Sequence, residues 1–141
     1  MIRRIQETDI DRAAEIWLDT NIKTHDFISA QYWKSNFDTV KEQFSHSEIY
    51  LYEEDGQIQG FVGLYDEYIA GIFVAEEAQS RGIGRFLISY IKEIRSRLSL
   101  SVYQKNTRAV KFYEREHFKI QSENIDEDTG EKEYIMVWGG R

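Results

Sequence analysis

The sequence predicts an α/β domain with a mixed, mostly antiparallel sheet flanked by helices. Three observations carry that prediction. Apolar residues recur at helical spacing early in the chain, at Ile10, Ala13, Ala14, Trp17 and Leu18 and again at Trp33, Phe37, Val40 and Phe44. From Ile49 onward the pattern changes to short apolar runs bounded by turn residues, as strands require. A further helical stretch, Phe86, Leu87, Tyr90, Ile91, Ile94 and Leu98, lies between two of those runs, giving a strand, a turn, a helix and a strand in succession.

Taken in order, Ile2 to Ile5 reads as a short strand, and Thr8 or Asp9 offers an N-cap to the first helix. The helical period breaks over Asn21 to Ile28. A second helix is expected to start after Ser29 and to run on through Phe44. Ile49 to Tyr52 and Ile58 to Tyr65 form a hairpin across Asp55-Gly56, a pair that tolerates the positive φ angles of a tight turn. The third strand of that group is Tyr68 to Val74, and Gly71 within it predicts a bulge that bends the strand near its centre. After the central helix, Leu98, Leu100 and Val102 alternate with serines as a half-buried strand should. A helix from about Asn106 to His117 and a hairpin of Phe118 to Ser122 with Tyr134 to Trp138 complete the chain. The acidic turn Asp126 to Gly130 reads as a solvated loop.

Composition narrows the classes of function. The 141 residues suffice for a single domain, residues 1–141, with one core and no disulfide or metal support. The chain has no cysteine, which removes thiolate metal sites and any acyl-cysteine step, so no metal is expected and an acyl group that moves here moves directly. No apolar run approaches the length of a membrane span and the N-terminus lacks a signal-peptide core, so a cytoplasmic protein without a membrane partner is expected. The 25 acidic against 18 basic residues give a net charge of -7, which repels phosphate backbones and argues against nucleic acid. A cationic partner is favoured. The segment Val137 to Arg141 is expected as an exposed terminal strand able to pair with a second copy, so the chain is expected as a monomer or a homodimer.

The chemically informative stretch is Ile72-Phe73-Val74 followed by Gln79-Ser80-Arg81-Gly82-Ile83-Gly84. A strand that passes through a glycine turn into a helix N-terminus presents unpaired amides and the positive end of the helix dipole to an anion. Gly82 and Gly84 remove the side chains that would block a phosphate. Neither common phosphate loop fits. The Gly-Lys-Ser/Thr ending of the Walker pattern is absent, and Leu87 stands where the dinucleotide fingerprint needs its third glycine.

These residues resemble the GNAT superfamily of acetyl-coenzyme A-dependent N-acetyltransferases. That family carries Gln/Arg-x-x-Gly-x-Gly/Ala after a strand, here Gln79 to Gly84, and later an Asn followed by a helix with Ala, Phe and Tyr, here Asn106-Thr107-Arg108-Ala109-Val110-Lys111-Phe112-Tyr113. The order of elements agrees along the whole chain. The runs Leu98 to Asn106 and Thr24 to Ile28 look most like small bacterial members. The resemblance implies a GNAT-like sheet with a splayed pair of central strands, acetyl-CoA as co-substrate and a primary amine as acceptor, joined by direct attack in a ternary complex.

Residue by residue, the resemblance implies that Gln79 and the turn it opens, with backbone amides from Arg81 through Gly82, Ile83, Gly84 and Arg85 to Phe86, hold the pyrophosphate. Phe73 and Val74 would pair through their main chains with pantetheine, Val74 N–H would polarise the thioester carbonyl, and Arg81, Arg85 or Lys105 would reach the nucleotide phosphate. Asn106 would contact the cofactor, and Tyr113 would stand near the sulfur and protonate the leaving thiolate. For the base that deprotonates the amine, Glu67 comes first and His25 second. His25, Tyr32 and Tyr68 are the candidate acceptor contacts. The competing reading is a non-catalytic acyl-CoA sensor or an interaction domain.

Overall fold

A computed structural model describes residues 1–140. Among them seven strands form one sheet: β1 (Ile2–Arg4), β2 (Glu48–Glu54), β3 (Gln57–Tyr65), β4 (Tyr68–Val74), β5 (Arg97–Tyr103), β6 (Lys119–Ile125) and β7 (Lys132–Gly139). Their order is β1-β2-β3-β4-β5-β7-β6, and every neighbouring pair is antiparallel except β4 with β5. Five α-helices flank the sheet: α1 (Ile10–Thr24), α2 (Ala30–Ser35), α3 (Phe37–Phe44), α4 (Ile83–Ile94) and α5 (Thr107–Arg115). The β2–β3 turn has positive φ at both Asp55 and Gly56, as the sequence pair predicts.

Alternation along the strands divides the helices between two faces. Phe61 lies opposite Leu51, and its ring meets Phe44 of α3 at 5.5 Å. Tyr50 and Tyr52 point the other way. Their rings meet Tyr90 at 5.0 Å and Phe86 at 5.9 Å, both on α4. The helices α1 and α2 lie on the same face as α3 and meet each other through the edge-on contact of Trp17 with Trp33. On the other face α5 lies beside α4, so close that a Cβ added to Gly84 would sit 3.4 Å from the Phe112 ring.

The core fixes α4 and therefore its N-terminus. Leu87, Ile88 and Ile91 are fully buried and belong to one apolar cluster with Leu98, Leu100 and Met136. Each such side chain contributes about 1.5–3 kcal/mol by leaving water. The first turn of the helix is consequently held in place.

Three expectations need correction. The segment Ala30 to Phe44 is two helices, broken at Asn36, whose side-chain Nδ2 donates to the Tyr32 carbonyl at 2.7 Å and competes with the helical ladder. Asp9 is the N-cap residue of α1 by position but gives that helix no side-chain bond; its carboxylate takes a two-pronged contact from Arg3 at 2.8 and 3.0 Å and accepts the Gln6 amide at 2.8 Å, closing the capping box of the 3-10 turn before α1. The last strand is internal: β7 pairs with β5 on one side and β6 on the other, so the sheet edge at that end is β6. Arg141 lies outside the described residues.

Candidate active site

Among the described residues, the parallel pair β4–β5 is joined only at Tyr68 with Ser99 and Ile69 with Leu100. Beyond those rungs the strands part. The cause lies in β4, where the register against β3 jumps from Gly63–Gly71 to Leu64–Ile69, leaving Ala70 as an extra residue that bends the strand. A Cβ on Gly71 would fall 2.5 Å from the Phe73 ring, so the bend packs that ring onto a residue without a side chain.

Which main-chain groups face the opening follows from the phase of the ladder. Ala75 N–H donates to the Gln59 carbonyl at 2.8 Å. In an antiparallel pair such bonded positions alternate. Phe73 therefore spends its main-chain groups on β3, while Ile72 and Val74 turn theirs toward the slot. Phe73, expected to pair with pantetheine, has its main chain engaged by β3, and the residue beside Val74 that faces the slot is Ile72. The Val74 carbonyl is already used, accepting from Gln79 Nε2 at 3.0 Å, which ties the glycine turn back to the strand.

A cavity of about 1060 Å³ fills the slot and crosses the sheet. On the α4–α5 side its walls include Gly84, Arg85, Phe112 and Tyr113; on the α1–α2 side they include Trp17, Asn21, His25 and Trp33. Gly82 is the N-cap of α4 with φ +82, a conformation that favours glycine. Phe86 N–H donates to the Gly82 carbonyl at 3.0 Å, so the Phe86 amide belongs to the helix and leaves the anion site. The amides of Ile83, Gly84 and Arg85 have no partner among the described residues. Among the expected cations, Arg81 turns away to Glu54 and Lys105 pairs with Glu131 at 3.1 Å. Arg85 lines the cavity, as does Arg108, which donates to Ser80 Oγ at 3.4 Å. Arg108 was not among the candidates; its place in the first turn of α5, beside the glycine turn, is a matter of tertiary contact.

Tyr113 lies in the cavity wall and is 8% exposed. Burial, and secondarily the nearby Tyr68, push its phenol well above the ordinary value, so it stays protonated. Tyr68 lines the cavity at the vertex of the slot.

His25 is held on both nitrogens. Asn106 Oδ1 accepts the Ala109 amide at 3.2 Å and caps α5, which turns its Nδ2 to His25 Nε2 at 3.2 Å. Asn21 Nδ2 donates to the Trp17 carbonyl, which turns its Oδ1 to His25 Nδ1 at 3.0 Å. The two amides therefore set the tautomer, with the proton on Nδ1 and the Nε2 lone pair occupied. Burial lowers the ring pKa to about 4. Glu67 sits exposed in the β3–β4 turn, outside the cavity walls, and only its carbonyl is engaged, by Ser99 N–H at 2.9 Å. The structure thus does not bring Glu67 to the other candidates. Tyr32 is also outside the walls; its ring packs edge-on against Trp33, and burial followed by Asp126 and Asp128 raises its pKa.

The β6–β7 connection is more than a solvated loop. Asp126 and Glu133 both line the cavity, and Asp126 accepts from the Tyr103 hydroxyl. Tyr103 in turn stands edge-on to His25 at 5.1 Å and Phe27 at 5.7 Å. The α1–α2 side of the slot is therefore rimmed with aromatic rings and two carboxylates, whereas the α4 side carries free amides and arginines.

Comparison with known proteins agrees with this geometry. Residues 45–120 match the family model of the acetyltransferase (GNAT) domain. The chain is 34% identical over 140 residues to the peptidyl-lysine N-acetyltransferase YiaC of Escherichia coli K12, covering 98% of this chain and 96% of that protein. It is 27% identical to the peptidyl-lysine N-acetyltransferase YjaB of the same organism, covering 96% of this chain and 92% of that one. The solution structure of apo YjaB from Escherichia coli superposes with a TM-score of 0.88 at 24% identity, over 100% of this chain and 98% of that chain. The PaiA N-acetyltransferase of Thermoplasma acidophilum, solved in complex with coenzyme A, superposes with a TM-score of 0.75 at 18% identity, over 99% and 98%. The chain belongs to the GNAT family of acetyltransferases, and it moves acetyl groups from acetyl-CoA to amines.

Proposed function

We propose that this enzyme, acting as one domain in the cytoplasm, acetylates the side-chain amine of lysine in peptides or proteins by direct attack within a ternary complex. One observation carries the reading: the cavity crosses the sheet between the parted strands, with free amides and arginines at one mouth and Asp126 and Glu133 at the other. An anionic co-substrate and a cationic acceptor would thus enter from opposite faces and meet at the vertex. The naming of two relatives as peptidyl-lysine acetyltransferases supports lysine as the cation.

Acetyl-CoA supplies the activated acetyl group and a thiol leaving group. The amides of Ile83, Gly84 and Arg85 hold the pyrophosphate, with Arg85 and Arg108 beside it, and the absence of a side chain at Gly82 lets the phosphates approach. Main-chain groups of Val74 and Ile72 align pantetheine along β4. Ile72, nearer the vertex, places its N–H at the thioester carbonyl in preference to Val74, where it stabilises charge on that oxygen. Asp126 and Glu133 draw in the ammonium and, with water, take up its proton before attack. His25 is excluded from this duty because its lone pair is bonded and burial disfavours its charged form. Tyr113 donates its proton to the departing sulfur, whose own basicity rises in the same dry surroundings.

The testing experiment is an acceptor screen that follows free thiol release from acetyl-CoA. Lysine-containing peptides are expected to support turnover with the acetyl group on the side-chain nitrogen by mass spectrometry. Exclusive use of peptide N-termini or of non-peptide amines would overturn the lysine reading.

A further inference from the structure

We propose that the uncovered sheet face beside the slot is the docking surface for the acceptor polypeptide, and that it favours lysines with an apolar residue two positions away in the chain. The inference rests on the lysine reading given above and names the sequence context that this enzyme selects.

The sheet is covered unequally on its two faces. Ile69, Leu98, Leu100 and Met136 belong to the core cluster that holds α4, and none is more than 2% exposed. Their neighbours along the strands point the other way. Tyr65 lies four residues from Phe61 and so shares the α3 side, and the register carries that side across the sheet from Tyr65 to Tyr68, Ser99 and Val137. A second row, Ser101 with Ile135, separates these residues from Tyr103 and Glu133. The rings of His25 and Phe27 meet β5 at Tyr103. Beyond that point every residue of the two rows is at least partly exposed, and Tyr65 and Tyr68 are 75% and 38% exposed. Two tyrosines, a valine and an isoleucine around two small serines make a shallow apolar patch.

Its position and size select the occupant. Tyr68 and Ser101 line the cavity together with Tyr103 and Glu133, so the patch is continuous with the mouth through which the acceptor enters. A lysine side chain spans only roughly 6 Å from Cα to Nζ, at about 1.5 Å per bond, so the main chain of an acceptor whose nitrogen reaches the slot runs over the patch. With ~4.8 Å between strands and ~3.3 Å between residues, the patch covers about 14 Å from β3 to β7 and about 13 Å along them. That area, roughly 200 Å², is far below the about 800 Å² per partner of a stable dimer and suits one short extended segment. The net charge of -7 also sets two copies against each other while it draws in a lysine-bearing chain. Side chains alternate along an extended peptide. When the lysine points into the slot, the residues two positions away point at the same sheet face and meet Tyr65, Tyr68 and Val137.

The test measures thiol release at saturating acetyl-CoA with two blocked pentapeptides, each with a central lysine between alanines, one carrying leucine at both ends and the other serine. Wild type is expected to use the leucine peptide with about tenfold higher kcat/KM, the equivalent of about 1.4 kcal/mol, which corresponds to roughly 50–60 Å² of apolar surface leaving water. In Tyr65→Ser that preference is expected to fall to about threefold or less, with kcat/KM for the serine peptide within about twofold of wild type. Tyr65 is exposed and outside the cavity walls, so the serine peptide also reports that the variant is folded. Equal use of the two peptides by wild type overturns this inference and leaves the lysine reading standing. A preference that survives unchanged in Tyr65→Ser also overturns it. Failure of wild type to turn over either peptide overturns the lysine reading and this inference with it. Sedimentation of wild type is expected to show a monomer at assay concentration. A dimer that Tyr65→Ser dissociates would assign the patch to a second copy and overturn the proposal.

Discussion

Asn106 and His25, 81 residues apart in the chain, are joined by a side-chain hydrogen bond of 3.2 Å that ties the start of α5 to the loop after α1. One asparagine amide thereby caps a helix with its oxygen and holds a histidine with its nitrogen. The bond keeps His25 neutral, because a protonated Nε2 would confront the Asn106 N–H with another donor.

Stability should fall with acid because His25 is buried. His25 has a pKa of about 4 in the folded protein and an ordinary value of 6.5. Between those two pH values the unfolded chain binds a proton that the folded one refuses, so stability is intact above about 6.5 and lost progressively toward 4, by up to about 3 kcal/mol. Denaturation of wild type and His25→Gln at pH 7 and pH 4.5 should show wild type losing about 2–3 kcal/mol more than the variant over that interval. Equal losses would mean that His25 titrates normally.

Asn106→Asp should separate the two duties of the asparagine. Aspartate caps helices as well as asparagine does, so α5 should hold. A carboxylate beside Nε2 favours the imidazolium, however, and the His25 resonance followed by NMR should titrate well above pH 4.

Gly82→Ala should weaken co-substrate binding. Gly82 has φ +82, which costs a non-glycine residue about 1–2 kcal/mol. The added methyl also enters the space the phosphates need. Calorimetry should show acetyl-CoA binding weakened by about tenfold or more, the equivalent of about 1.4 kcal/mol. Turnover at saturation should change much less.

Tyr113→Phe should do the reverse. The ring remains packed on Phe118 and Phe112. Loss of the proton donor should lower kcat by about a hundredfold, with acetyl-CoA affinity within about twofold. Since burial raises the phenol pKa, wild-type activity should show no alkaline decline attributable to this group below about pH 10.

The glycine turn is legible in the sequence because its signal is local: Gly82, Gly84 and an amphipathic stretch from Phe86 onward lie within a few residues of one another. Gly71 likewise announces the bent strand. Other parts of the site depend on phase or on distant contact. Whether Ile72 or Phe73 faces the slot is decided by which residues of β3 they meet, and one residue of register reverses the answer. Asp126 and Glu133 read as loop and strand polar residues until β7 inserts beside β5 and brings Glu133 opposite Tyr103. His25 has the intrinsic pKa of a good base, and its burial between two asparagine amides that engage both ring nitrogens depends on residues distant in the chain. Glu67 is near the vertex in sequence, yet the tight turn carries its side chain outward.

The two rungs that close the vertex leave the sheet as a pair of blades on a short hinge, Tyr68–Ser99 and Ile69–Leu100. On the binding mode proposed above, pantetheine lying along Ile72 and Val74 would supply the rungs that the polypeptide omits, so the co-substrate would serve as a temporary strand. The loaded enzyme should be stiffer than the empty one, with a ligand at a hundred times its dissociation constant adding about 2.7 kcal/mol to stability. Thiol departure then loosens the same joint through which the next molecule must enter.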